Sequence, residues 1–245
     1  MTSRKVGQAS ACHAPRGFTL VELLVVIGII GLLAALLTPV VMQSLTKARN
    51  AAIKAEIDML HMAIMNYKNE YGSFPPCRSG TGAPTPASRH ILRIFPRTAN
   101  IAAQVGAEVL PQNAIVGWLG GYTDDPENPV TGGKRNKLFD FDTSRISSAG
   151  TYFPSGKPNS PYIYIKSGTG LTDGYGVVGS GTATYSIAPN TYQPEVQVTV
   201  SGTQFFNPDT FQILCAGRDE IFGNDDDLSN FWSGTRREYL DSLKD

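Results

Sequence analysis

A single carboxylate, Glu22, stands near the start of an otherwise uncharged segment of 21 residues, 18–38. The segment is long and apolar enough to cross a bilayer as a helix. A charged side chain at the bilayer centre costs about 2.5 to 3.5 kcal/mol on insertion scales, so Glu22 requires a partner of opposite charge. The chemistry indicated is electrostatic pairing, and we expect another copy of the chain to supply the partner.

A second group of oxygen ligands lies near the C-terminal end, within residues 214–231. Calcium takes six to eight oxygen atoms from carboxylates, carbonyls and waters in a flexible geometry. Adjacent aspartates repel one another unless a cation lies between them, which favours an ion. The ligand pattern of an EF-hand is missing, and a solvated acidic turn is the second interpretation. The aspartates of this segment are Asp219, Asp225, Asp226 and Asp227.

Catalytic chemistry is not indicated by the sequence. The chain has three histidines, and it contains no nucleophile-elbow, zinc-protease or phosphate-loop motif. His61 follows Asp58 by three residues, which favours a surface pair on one helix. We therefore predict that the protein is not an enzyme.

A long helix and a globular head must position these groups. The pattern predicts about 55 helical residues, with a transmembrane segment at 18–38 and an amphipathic continuation at 39–72. Pro39 predicts a kink or local melting, because proline removes a hydrogen bond and clashes with the preceding turn. Gly72 and the prolines after it end the helix. The apolar stripe is Ile53, Ile57, Leu60, Ile64 and Tyr67, and the opposite, charged face is Lys47, Arg49, Lys54, Glu56, Asp58, Lys68 and Glu70.

Residues 73–245 fit a single domain, the globular head. Valines alternate with polar residues at 196–200, which predicts a strand with one wet face. The fold class predicted is α+β, with the long N-terminal helix packed on a C-terminal antiparallel β-sheet. Short helices are expected at 89–95, 99–110 and 113–119, and strands at 162–166, 183–187, 196–200 and 211–215.

The apolar segment is entered through a motif, Arg16-Gly17-Phe18-Thr19-Leu20-Val21-Glu22. This motif resembles the class III signal of type IV pilins and type II secretion pseudopilins, and the resemblance covers the N-terminal quarter of the chain. It implies a pilin-like fold, cleavage by prepilin peptidase between Gly17 and Phe18, and N-methylation of Phe18. Glu22 then becomes the fifth mature residue, which in that family pairs with the terminal amine of a neighbouring subunit and sets its register.

The leader implied by this cleavage, residues 1–17, carries a charge of +3 and leaves 18 basic and 21 acidic residues after it. Basic residues before a span stay on the cytoplasmic side, so the resemblance and the charge bias together place the head in the periplasm and one span in the bacterial inner membrane. No basic patch remains to indicate nucleic acid as a primary partner.

Two cysteines, Cys77 and Cys215, remain after the leader that contains Cys12 is removed. In an oxidising periplasm they can form one disulfide between the end of the long helix and a C-terminal strand. Two buried free thiols are the equal alternative, since free cysteine behaves as a small hydrophobe.

The acidic segment is also similar to the calcium loop of major pseudopilins. By this resemblance Asp219 and Asp227 are the two matched aspartates, and Asp225 is a further candidate carboxylate. Leu214 and Gly217 are the candidates for carbonyl ligands. The residues that complete the match are Leu228, Ser229, Asn230 and Phe231.

The resemblance implies a structural pseudopilin of a type II secretion-like system. An assembly platform and minor pseudopilins would join it to other copies in a periplasmic filament that drives protein export. A type IV pilus subunit, acting in adhesion, motility or DNA uptake, is one alternative. A membrane-anchored binding module that holds a ligand with residues 77–160 is another. The apolar run is too long for an ordinary cleaved signal peptide, whereas a plain signal anchor with Glu22 reaching the head groups is physically allowed.

Overall fold

The computed structural model describes residues 18–78, 84–105, 108–168, 174–177, 181–182, 184–187 and 190–244. Two compact units are present, Met1–Leu45 and Thr46–Asp245. The leader residue Gly17, and with it one side of the implied cleavage site, lies outside the described residues.

Helix α1 spans Leu20–Tyr71 and is 52 residues long. It stays helical through Pro39, so the local melting predicted there does not occur. The Thr38 hydroxyl donates to the Ala34 carbonyl at 2.7 Å beside the proline. The helix ends where Gly72 takes a φ of +79° and its N–H bonds the Lys68 carbonyl at 2.8 Å, a left-handed C-terminal stop that favours glycine.

The stripe on the second half of α1 is confirmed, because all five predicted residues are buried in the core of the head. Two assignments to the solvent-facing side are wrong. Glu56 turns toward the head, where it accepts hydrogen bonds from two tyrosines and an arginine. His61 is half-buried, with its ring 4.9 Å from Phe211 and its Nδ1 3.0 Å from the Asn230 amide, rather than forming a surface pair with Asp58.

The described part of the head has four shorter α-helices, one turn of 3-10 helix at Thr143–Arg145 and nine strands, joined by turn-rich segments. The α-helices are α2 (Pro86–Ile94), α3 (Ile101–Val105), α4 (Ala114–Leu119) and α5 (Arg236–Ser242). The strands are β1 (Ile163–Lys166), β2 (Gly176–Val177), β3 (Gly181–Thr182), β4 (Tyr185–Ile187), β5 (Asn190–Tyr192), β6 (Val196–Thr199), β7 (Gly202–Phe205), β8 (Phe211–Cys215) and β9 (Leu228–Ser229).

An antiparallel sheet of order β1-β8-β9 forms the centre of the head. Every residue of β8 is buried, which explains why this strand reads as a continuous apolar run with one glutamine. The α+β class is therefore confirmed. The sheet is smaller than one built from all predicted strands, because β2-β3, β4-β5 and β6-β7 form three separate two-stranded hairpins.

The hairpin of β6 and β7 presents its apolar face to solvent. Val196 and Val198 are exposed, whereas the polar residues between and after them, Gln197 and Thr199, are half-buried. A strand with one wet face was predicted from this alternation, and in the structure the wet face is the valine face.

A buried polar network joins α1 to α2 and to the loop after α4. The Tyr67 hydroxyl lies 2.7 Å from Nε2 of His90 and 2.6 Å from the Tyr122 hydroxyl. Burial, with the nearby charges of Arg93 and Lys166, lowers the pKa of His90 to about 3, so its imidazole is neutral at physiological pH. The network fixes the orientation of α2 through satisfied hydrogen bonds.

Candidate functional site

The first turn of α1 is closed by a reciprocal cap between Thr19 and Glu22. The backbone N–H of Thr19 donates to Oε2 of Glu22 at 2.9 Å, and the Thr19 hydroxyl donates to the same oxygen at 2.8 Å. The Glu22 N–H in turn lies 3.2 Å from the Thr19 hydroxyl oxygen. This is the capping-box arrangement, which satisfies N–H groups that a helix start leaves unpaired. Glu22 thus has a local role that its isolation in an apolar segment does not indicate.

The apolar side chains of the same segment are exposed in the isolated chain. The 18-residue window with a mean hydropathy of 2.9 has no buried residue, and α1 is long and apolar enough to cross a membrane. Exposed apolar surface of this extent is covered by lipid or by other protein, because contact with water is unfavourable. Glu22 lies at the start of that surface.

An ion pair anchors α1 to the head through Glu56. Both carboxylate oxygens accept hydrogen bonds from the Arg145 guanidinium, with NH1 at 3.0 Å from Oε2. The hydroxyls of Tyr152 and Tyr162 also donate to the carboxylate, the first at 2.6 Å. Burial acts to raise the pKa of Glu56, but these hydrogen bonds and the Arg145 charge outweigh it and lower the pKa below its usual value.

The acidic loop is held mainly by its own hydrogen bonds. Asp219 accepts from the Ile221 N–H at 2.9 Å and from the Asn224 amide at 2.6 Å. Asp225 pairs instead with Arg237 of α5 at 2.6 Å. Among the described residues, no three histidine, cysteine, aspartate or glutamate side chains form a group that could hold a metal ion. The three predicted carboxylates are therefore not assembled around one point.

Asp226, the aspartate that the calcium-loop resemblance does not match, is bound within the loop by backbone N–H groups. Its Oδ2 accepts from the backbone N–H groups of Arg218 and Asp219, at 2.5 and 3.2 Å. A Cβ on Gly217 would lie 2.1 Å from the Asp226 carbonyl oxygen, so the loop requires glycine at this position.

Asp227 is the member of the loop whose environment fits a cation ligand. Its Oδ2 accepts from the Gly223 N–H at 2.6 Å, while its Oδ1 is buried with no hydrogen-bond partner among the described residues. Burial, with the charges of Glu195 and Asp226, raises the pKa of Asp227 to about 7. Asp227 lines a cavity of about 300 Å³ together with Glu195 and Leu214, the latter a predicted carbonyl ligand in β8. An unpartnered buried carboxylate oxygen is costly, and a bound cation would satisfy it.

In the structure Cys77 and Cys215 are both buried, and neither forms a disulfide. Cys215 lies in β8 with its Sγ 3.6 Å from the Ser160 hydroxyl, and burial raises its pKa to about 12. This arrangement corresponds to the second of the two alternatives, and a disulfide between Cys77 and Cys215 is not formed.

Several residues of these sites were not predicted from the sequence, among them Thr19, Arg145 and Glu195. Thr19 could have been found, because Thr-x-x-Glu before an apolar run is the pattern of a capping box. Arg145 gave no such signal, since it lies 89 residues from Glu56 in the chain and only the folded head brings the two together.

Comparison with known proteins gives one family match and several similar proteins. Residues 13–38 match the family described as the prokaryotic N-terminal methylation motif. The chain is 32% identical over 125 residues to prepilin peptidase-dependent protein D of Escherichia coli strain K12, covering 49% of this chain and 82% of that protein. It is 32% identical over 112 residues to type II secretion system core protein G of Klebsiella michiganensis, covering 45% of this chain and 72% of that protein. Against core protein G of Pseudomonas aeruginosa it is 37% identical over 67 residues, covering 27% and 47%. No solved structure matches.

A long apolar N-terminal helix with a methylation motif, continued into an α+β head, defines the class of membrane-anchored prepilins. The chain belongs to the type IV pilin and pseudopilin-like family of proteins that prepilin peptidase processes. The family is structural, so the prediction that the protein is not an enzyme is confirmed. Membership implies processing by the peptidase and assembly into filaments.

Proposed function

We propose that the chain is a pseudopilin of a type II secretion-like system. In this proposal it is cleaved between Gly17 and Phe18, methylated on Phe18, and assembled from the bacterial inner membrane, with its head in the periplasm. An assembly platform and minor pseudopilins are its partners, and the filament drives protein export. Its action is mechanical, because helices of the 18–38 segment would pack together and exclude lipid and water from their apolar faces.

The observation that carries this proposal is the exposed apolar half of α1, with one carboxylate at its start. A new N-terminal amine at Phe18 would lie four residues from Glu22, and the amine of a neighbouring copy can pair with that carboxylate. The relatives named type II secretion core protein G favour the pseudopilin over a type IV pilus subunit. The relative named prepilin peptidase-dependent protein D keeps the pilus subunit as the second candidate.

The processing step is tested by mass spectrometry of the native protein. We expect a mature chain that begins with N-methyl-phenylalanine at Phe18. A Gly17→Leu variant serves as the control and should keep its leader, because the bond would then follow a bulky residue. A native chain that retains residues 1–17 would contradict the proposal. Loss of protein export in a deletion strain, with motility unchanged, would then select the pseudopilin over the pilus subunit.

We propose further that the acidic loop binds calcium, with Asp227 as the principal ligand. The support is the buried, unpartnered Oδ1 of Asp227. Glu195 lines the same cavity, with its carboxylate 3.6 Å from the Arg236 guanidinium. Asp219 is close to Asp227 in sequence, and its carboxylate would give up its hydrogen bonds to Ile221 and Asn224 in order to bind the ion. Asp225 fits less well, because its carboxylate is paired with Arg237. When bound, the ion would neutralise the loop and hold it against β8.

Calcium should therefore stabilise the full chain in detergent. At a hundred times the dissociation constant, a ligand that binds only the folded state adds about 2.7 kcal/mol to the free energy of unfolding. We expect the melting temperature to rise when calcium is added and to return to its calcium-free value when a chelator is added. The Asp219→Ala, Asp227→Ala double variant should lose this response, whereas Asp209→Ala, an exposed aspartate outside the loop, should keep it. Identical melting curves with calcium and with chelator would remove the site.

A further inference from the structure

The hairpin of β6 and β7 is a fixed apolar projection. Val198 is 86% exposed, and Val200 beyond the strand is fully exposed. From Val196 to Phe205 the hairpin has no charged residue. An isolated two-stranded hairpin is marginally stable in water and gains stability when its apolar face packs against another surface. Within the described residues, no element covers the valine face.

The base of this hairpin is clamped by a buried side chain of the central sheet. Gln212 of β8 is fully buried, and its Oε1 accepts from the Glu195 N–H at 2.7 Å. Its amide nitrogen donates to the carbonyls of Glu195 and Phe206, both at 2.9 Å. One side chain thus fixes both strands where they leave the head, so the exposed valines are held in place.

A methionine-lined groove lies on a different part of the head. Met62 is 69% exposed and Met59 is 55% exposed, on the side of α1 that the core does not use. Phe139 forms part of the opposite wall, and the N–H of Leu138 holds that wall to the Leu119 carbonyl at 2.9 Å. The groove has a volume of about 890 Å³. Flexible methionine side chains adapt to the shape of a partner.

The rims of the groove are electrically balanced. Asp58 pairs with Lys54 at 2.7 Å, and Asp140 pairs with Lys137 at 3.1 Å. An uncharged apolar segment therefore enters without leaving a charge unpaired, whereas a strongly charged partner gains nothing there. The β6-β7 hairpin of the same chain has this chemistry.

We propose that the β6-β7 hairpin of one subunit, with Val198 at its exposed face, docks in the methionine-lined groove of the next subunit. The two surfaces differ, so the contact is heterologous and can repeat from copy to copy, as a filament requires, instead of joining two copies through the same surface. This inference rests on the filament assembly that the family implies, and it adds a contact between heads to the packing of the apolar helices.

Cysteine cross-linking in assembled filaments tests the contact. The full chain carrying Val198→Cys and Met62→Cys, oxidised in the membranes of producing cells, should give a ladder of dimers, trimers and longer species. The native thiols Cys77 and Cys215 are buried and do not compete. In the matched control, Met62→Cys is combined with Val177→Cys, a 50% exposed valine on the β2-β3 hairpin, and no ladder is expected. Filaments that form without a Val198–Met62 ladder overturn this interface and leave the proposed function standing.

Thiol protection in the single variants gives a second readout that needs no cross-link. On assembly, the thiol of the Val198→Cys variant should lose its labelling by a water-soluble maleimide, while the thiol of the Val177→Cys variant should keep it. Equal labelling of both positions in filaments would also overturn the contact. A chain that never forms filaments, with or without the substitutions, would instead refute the proposed function.

Discussion

Replacing Glu22 by alanine should leave cleavage after Gly17 intact and abolish filament assembly. Removing one partner of a buried ion pair costs about 3 to 5 kcal/mol, so each contact between subunits would weaken by a factor of a hundred or more. The measurement is the amount of sedimentable or imaged filament per processed subunit, compared with the unsubstituted chain. Normal filaments from this variant would refute the role in pairing.

The capping box provides the controls that separate pairing from helix stability. Glu22→Gln keeps an oxygen that can accept from Thr19 but removes the charge, so it should fail to assemble as alanine does. Thr19→Ala removes the capping hydroxyl, costs the helix about 1 kcal/mol, and should assemble. Filaments from Glu22→Gln together with none from Thr19→Ala would show that Glu22 acts by capping.

Glu56→Gln should destabilise the head by about 3 kcal/mol at neutral pH. The substitution leaves the Arg145 guanidinium without its main counter-charge, and breaking a buried pair costs several kcal/mol. The lower end of that range is expected because Asp142 remains 3.5 Å from the same guanidinium. Denaturant unfolding of the full chain in detergent, followed by tryptophan fluorescence, measures the change.

The matched control is Asp58→Asn, two residues along the same helix. Asp58 also forms an ion pair, with Lys54, but its side chain is 58% exposed, against 13% for Glu56. Exposed pairs contribute about 0 to 1 kcal/mol, so the loss should be within that range. Equal losses from the two variants would mean that burial does not distinguish the two pairs.

The same pair predicts the direction of a pH dependence. Because the folded pKa of Glu56 is below its unfolded value near 4.5, the unfolded state binds the proton more readily at low pH. The contribution of Glu56 to stability is therefore present above about pH 4.5 and is lost as the pH falls through the folded pKa. The difference in unfolding free energy between the unsubstituted chain and Glu56→Gln should shrink over this interval. A constant difference from pH 7 to pH 3 would contradict the proposed ionisation.

The acidic loop shows which features of a site can be predicted by matching residues to a family pattern. The sequence located its aspartates and named Gly217 as a candidate carbonyl ligand, because these are features of one short segment; that this position requires glycine is shown only by the structure. It did not show that Asp225 turns to Arg237 while Asp227 is buried with one oxygen unpartnered. Successive side chains of a loop point in different directions, and the packing of α5 and β8 decides which of them meet.

The sequence by itself determined the long helix, its exposed apolar half, the buried stripe from Ile53 to Tyr67 and the α+β class. These follow from local periodicity and from the cost of placing a charge in apolar surroundings, both of which are properties of contiguous residues. Only the tertiary structure decided that Glu56 meets Arg145 and that the valine face of β6 is the wet one. Such pairings join residues far apart in the chain, and burial there depends on which surfaces the finished core leaves uncovered.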